Sequence, residues 1–158
     1  MADRIPDRAG RLAVACLGLL TAGTHALAAE PAPTAPTEAR LDALFGSHEP
    51  HRKFLADLQH AVAAGDRQQI AAMVSYPLRT NLGTHVVKLG PRQLLAHFDE
   101  LLPPKTLAAI TAQSFDTLFA NSQGVMIGDG EVWFAAVCAA RDCSAPPIMI
   151  TAINPPPP

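Results

Sequence analysis

Gly124-Val125-Met126-Ile127-Gly128-Asp129-Gly130-Glu131-Val132-Trp133-Phe134 is the stretch that decides the fold. Two apolar runs rich in β-branched and aromatic residues flank a Gly-Asp-Gly-Glu turn. Such a pattern, with Asp-Gly at its centre, is a strong short-range signal for a two-residue antiparallel hairpin. The turn sets the register: Gly128 opposes Glu131, Ile127 opposes Val132, Met126 opposes Trp133 and Val125 opposes Phe134. Because side chains alternate across a strand, Met126 and Trp133 share one face and Val132 and Phe134 the other. Both faces are apolar, so both are expected to be covered. Downstream, the chain turns back through residues 139–142 into a strand over 148–153, while residues 115–119 are expected to begin the sheet.

Working upstream, the period changes from two to 3.6. Phe54, Leu55, Leu58, Ala61 and Val62 fall on one face of a helix that starts near Pro50 and is closed by Gly65. Asp66, with Gln69 three residues on, has the spacing of a capping box, and Ile70, Met73 and Val74 form the buried stripe of a second helix that Pro77 stops. Residues 78–89 read as two short extended pieces around Asn81-Leu82-Gly83, with Val86, Val87 and Leu89 in the second. Pro91 suits the first turn of a third helix, which presents Leu94, Leu95, Phe98, Leu101 and Leu102 and ends at Pro103-Pro104. A short fourth helix over 105–113 carries Leu107, Ala108 and Ile110. Helices followed by a run of antiparallel strands place the chain in the α+β class, with helices packed on one face of a curved antiparallel sheet.

The ends of the chain have a different composition. Arg4, Arg8 and Arg11 precede an apolar run over 12–23, and Ala26-Leu27-Ala28 supplies the small-residue pattern a signal peptidase accepts. The run is short of the roughly 20 residues a membrane span requires. A signal peptide over 1–28, cut between Ala28 and Ala29, is therefore expected, and with it a periplasmic or secreted mature chain without a membrane span. Cys16 sits too early in the apolar run to be a lipid-anchor cysteine. Residues 29–49, opening Ala-Glu-Pro-Ala-Pro-Thr, read as a Pro/Ala-rich linker, residues 50–154 as the folded domain, and 155–158 as a Pro-rich tail. Cys138 and Cys143 are then the two cysteines of the mature chain; in an oxidising compartment they are expected to pair, stapling the neck of the second hairpin.

The order of elements, the helix pair about Gly65-Asp66 and the segment 124–134 resemble the NTF2-like superfamily, the cone-shaped α+β fold that also houses ketosteroid isomerase. The resemblance covers residues 51–154. It implies a cavity between the helices and a concave sheet, and it permits a homodimer through the outer sheet face.

Particular residues bear on several chemistries. The full chain carries a formal charge of −2 with no basic cluster, which disfavours nucleic acid as a partner. Tyr76 and Asp116 could approach one cavity as a donor and a carboxylate base, the pairing an isomerase or hydratase needs, though Tyr76 reads better as a core ring with its hydroxyl at the rim. Trp133 could line a ligand cavity or anchor the core. In Ser47-His48-Glu49-Pro50-His51 the two histidines lack metalloprotease spacing, and His60, His85 and His97 lie on three different elements, so no metal site and no cofactor is expected. Ser75 and Ser114 lack a nucleophile-elbow context, and Gly124, Gly128 and Gly130 are turn glycines. The reading that follows is non-catalytic binding of a small apolar ligand or a periplasmic partner protein. The alternatives are an isomerase-like enzyme and an interaction or inhibitory module.

Overall fold

The computed structural model describes residues 35–83, 85–138 and 143–155. The expected signal peptide, its cleavage point, the first part of the linker, residues 139–142 of the second hairpin and residues 156–158 of the tail lie outside them.

A helix stands where a tether was expected. Helix α1 (Thr37–Phe45) takes up the middle of the 29–49 linker and packs on the domain through Leu41, which is fully buried. The Thr37 hydroxyl donates to the Asp116 carbonyl at 2.6 Å, and the Arg40 guanidinium to the Leu118 carbonyl. Arg52 pairs with Glu38. Gly46, at φ 83°, ends the helix in the left-handed region and returns its N–H to Asp42 at 2.8 Å. The Ala and Thr content that suggested a linker concealed one buried leucine, and these bonds to neighbouring carbonyls and side chains do the rest.

Helix α2 (Glu49–Ala63) carries Pro50 in its first turn, where the missing N–H would be unpaired anyway, and buries Phe54, Leu55, Leu58 and Ala61 on one face. Fully burying a side chain such as Leu58 contributes about 1.5–3 kcal/mol. Asp66 accepts from the Gln69 N–H at 2.9 Å and so caps α3 (Arg67–Ala72). This helix ends sooner than Pro77. Met73 and Val74 stay buried, but Ile150 donates its N–H to Met73 and accepts from Ser75, each at 2.8 Å, so these backbone groups leave the helix to pair with a strand.

Strands β1 (Leu78–Leu82) and β2 (His85–Leu89) form an antiparallel ribbon. The expected third helix is two pieces, α4 (Pro91–Ala96) and α5 (Phe98–Leu101), broken at His97. Leu94, Phe98, Leu101 and Leu102 are nevertheless all buried. Helix α6 (Pro104–Ala112) buries Thr106 and Ile110. A 3-10 turn, Phe115–Thr117, replaces the start of the strand anticipated there. Strands β3 (Phe119–Asn121), β4 (Gly124–Ile127), β5 (Val132–Ala136) and β6 (Ile148–Ile153) follow, in the antiparallel order β3-β4-β5-β6.

The central hairpin has the expected register: Val125 opposes Phe134, Met126 opposes Trp133 and Ile127 opposes Val132. Between β5 and β6 the pairing shifts, Trp133 opposing Ala152 and Phe134 opposing Ile150, so Thr151 is the extra residue of a bulge. Cys138 and Cys143 form a disulfide, their Cα atoms 5.8 Å apart, just beyond the bond from the Val137 N–H to the Pro147 carbonyl. The chain is thus α+β, with helices and antiparallel sheets. Val125, Ile127, Val132, Phe134, Ile150 and Ile153 fill one face of the four-stranded sheet. The expectation that both faces are covered does not hold. On the opposite face Phe119 is 49% exposed and Met126 and Trp133 are half-buried, because the residues that bury Val132 and Phe134 lie on the other side.

Candidate functional site on the outer sheet face

The exposed face is organised by cross-strand register. Phe119 on β3 opposes Met126 on β4, Met126 opposes Trp133 on β5, and Trp133 opposes Ala152 on β6. These four side chains make one row across the sheet, while the residues flanking Met126 and Trp133 along their strands are buried. Phe119 and Trp133 meet edge to face, with ring centres 6.2 Å apart and planes at 81°. Beside the row, Gly124 holds φ 141°, and a Cβ there would lie 2.7 Å from the Phe134 carbonyl oxygen and 3.1 Å from the Ala135 Cβ.

A groove of about 490 Å³ runs from this row to the β4–β5 turn, lined by Lys105, Met126, Asp129, Gly130, Glu131 and Trp133, with Asn154 and Pro155 at its side. The turn is held from several directions. Glu131 accepts from the Asp129 N–H at 2.6 Å, Gln113 from the Gly128 N–H at 2.9 Å, and the Asn154 amide donates to the Gly130 carbonyl at 2.8 Å. What the groove presents is an indole wall, a thioether, one ammonium and two carboxylates on a fixed backbone. That set suits non-covalent recognition by stacking and apolar contact with charged groups of both signs at the rim.

Of the three candidate residues read from the sequence, Trp133 alone lines this groove. Tyr76 lies between α3 and β1, donates its hydroxyl to the Ala71 carbonyl at 2.9 Å and packs on the core; burial pushes its pKa up. Asp116 is exposed on the 3-10 turn, where its carbonyl holds Thr37 and its N–H meets the Ser114 hydroxyl. The structure does not gather the three around one cavity. Where the resemblance implied a hollow under the sheet, Phe54 and Phe134 stack with centres 4.9 Å apart amid Leu41, Leu58, Ile110 and Ile127. A smaller hollow of about 190 Å³ lies among Val62, Gly65, Arg67, Ile70, Phe98 and Leu107, below the roughly 300–1,000 Å³ of ligand pockets.

The Phe119–Met126–Trp133 row escaped the sequence reading in part. Met126 and Trp133 were paired by the hairpin turn, but Phe119 joins them only once β3 is known to begin there and not at Phe115. His48 and His51, set aside as a failed metal motif, are treated very differently by the fold. His48 is tied to Asp42, Nδ1 to Oδ1 at 2.8 Å, which raises its pKa, whereas His51 is 2% exposed. Among the described residues there is no cluster of three or more His, Cys, Asp or Glu placed to hold a metal, and no helix is long and apolar enough to cross a membrane. No protein-family model, curated protein or solved structure matches the chain, so the reading of function rests on this geometry.

Proposed function

We propose that the chain is an exported, non-catalytic binding domain of NTF2-like build, whose outer sheet face around Trp133 takes a partner protein. The observation that carries this is the in-register row Phe119–Met126–Trp133, apolar and partly exposed, beside a groove of about 490 Å³. Aromatic residues and methionine are the types enriched at protein interfaces, and aromatic anchors tend to dominate their energetics. Export is supported by the arginines and apolar run of the first 28 residues together with the Cys138–Cys143 disulfide, a bond that persists in oxidising compartments. The NTF2-like build is supported by the order of helices and strands. A binding role is favoured over Tyr76–Asp116 chemistry because the Tyr76 hydroxyl is bonded to the Ala71 carbonyl, the Asp116 carboxylate is exposed on the 3-10 turn, and neither lines the groove.

The groove's size also admits a small apolar ligand stacked on the indole. Trp133 is the sole tryptophan, so its emission reports the site directly. The deciding experiment places a photo-crosslinking residue at Phe119, at Met126 or, as control, at the exposed Asp57, in the compartment where the protein resides. The first two positions should yield a common adduct that the control does not, and Trp133→Ala should remove it. Equal adducts from all three positions, or none from the row, would refute the reading.

A further inference from the structure

We propose that His51 is an acid-sensitive latch, and that its protonation releases α1 from the rest of the domain. This inference is independent of the groove on the outer face.

The His51 ring is 2% exposed, and neither of its nitrogens makes a hydrogen bond of good geometry, although the Ser47 backbone lies near enough to favour the protonated form. It is stacked against Phe45 at the end of α1, ring centres 4.8 Å apart, and leans on Phe134 of β5 at 6.2 Å. A phenyl ring would fill this place without any unpaired polar atom. Buried polar atoms are nearly always satisfied, and an exception calls for a reason. A neutral imidazole is tolerated there; an imidazolium, with two donors and a charge, is not. His51 also lies in the first turn of α2, where the helix dipole disfavours positive charge.

Among the described residues no carboxylate bonds to the ring. On α1 the charged groups are Glu38, Arg40 and Asp42, of which Glu38 is taken by Arg52, Arg40 by the Leu118 carbonyl and Asp42 by His48. Glu49 on α2 faces His48, Lys53 pairs with Asp57, and Asp116 is exposed on the 3-10 turn. Strand β5 contributes no ionisable residue. Burial holds the His51 pKa below its ordinary 6.5, opposed only by the Ser47 backbone.

The least costly way to hydrate the ring is to move what covers it. Phe45 belongs to α1, and α1 is joined to α2 through Gly46, at φ 83° and with open space around its Cβ position, a ready hinge. Opening would break the Thr37 and Arg40 bonds to the Asp116 and Leu118 carbonyls and bare the backbone beside β3. The sign follows from linkage. The closed-state pKa lies below the open-state value, so closure is favoured above pH 6.5 and loses ground as pH falls. His48 works the other way, since its bond to Asp42 tightens on protonation, but it is partly exposed and its influence is screened.

With an open-state pKa of 6.5, lowering the pH from about 7.5 to about 5.0 raises the opening equilibrium by up to about 30-fold. Hydrogen exchange of the α1 amides in the whole chain, corrected for intrinsic rates, reads this directly. Protection of α1 should fall several-fold to about 30-fold relative to β4 and β5. In His51→Phe it should not fall, and His48→Gln should retain the fall. Unchanged protection in the parent, or an equal fall in His51→Phe, would overturn the proposal. Should His51→Phe not fold, imidazole NMR of the parent decides. A ring that stays neutral until α1 opens supports the latch; one that protonates while α1 remains protected refutes it.

Discussion

Phe134 and Trp133 are adjacent, and replacing each with alanine should have opposite consequences. Phe134 is fully buried, stacked on Phe54 at 4.9 Å and against His51 at 6.2 Å, so Phe134→Ala leaves a cavity that the surrounding helices cannot close. Phe→Ala changes of this kind cost about 3–5 kcal/mol. Trp133 is half-buried on the outer face, touching Phe119 edge-on, so Trp133→Ala should cost only about 1–2 kcal/mol, made up of partial burial and one aromatic pair. The variants should therefore differ by about 1–4 kcal/mol in unfolding free energy, Phe134→Ala being the less stable. Urea titration followed by far-UV circular dichroism measures this with linear extrapolation, and it does not depend on the fluorescence that Trp133→Ala abolishes. Partner capture should respond in reverse, lost in Trp133→Ala and retained by the milder Phe134→Leu once folded. Equal destabilisation, or a larger loss for Trp133→Ala, would mean that the hairpin presents its other face to the core.

Gly124→Ala should destabilise by about 2 kcal/mol or more, since φ 141° is foreign to alanine and the new Cβ would meet the Phe134 carbonyl oxygen at 2.7 Å; a thermal melt against Gly83→Ala, where the Cβ position is open, separates the clash from the backbone preference. Reducing the Cys138–Cys143 bond, which spans a sequence separation of 5, should cost about 2 kcal/mol on the chain-entropy account, and parallel denaturant titrations with and without reductant would show a fall of that size or exclude it. Tyr76→Phe, which removes the donor to the Ala71 carbonyl, should cost about 1 kcal/mol and leave Trp133-dependent binding intact; loss of binding in a folded Tyr76→Phe would tie the two regions together after all.

The sheet was more legible than its surroundings. Gly128-Asp129-Gly130-Glu131 admits one tight turn, and with it every pair in the central hairpin follows. The face that turns inward was not legible, because Val132 and Phe134 on one side and Met126 and Trp133 on the other are equally apolar; helix packing, a long-range outcome, made the choice. The third helix keeps Leu94, Phe98, Leu101 and Leu102 buried through the break at His97 while Leu95 is partly exposed, so most of the stripe follows from the spacing and the interruption does not. For Met73 and Val74 a helical spacing was a true pattern with the wrong cause, since Ile150 offers their segment strand-like partners. Helix α1 was hidden by composition: Leu41 is its one fully buried apolar side chain, and its remaining anchors are bonds to carbonyls that no local pattern reveals. The candidate site divided in the same way. Trp133 was singled out by type, whereas its neighbours Phe119 and Lys105 reach it only through the fold.

The bonds from Ile150 to Met73 and Ser75 also bear on how copies of this protein behave in a crowd. On its far side β6 has given these main-chain groups to its own chain, and the Ile153 carbonyl is taken by Thr80 at 2.7 Å. A further strand cannot add there without displacing native pairing. The opposite margin is β3, only three residues long and flanked by the Arg40 bond to Leu118. Indefinite filament growth through one sheet needs two receptive margins, so the four-stranded sheet is terminated against it at β6.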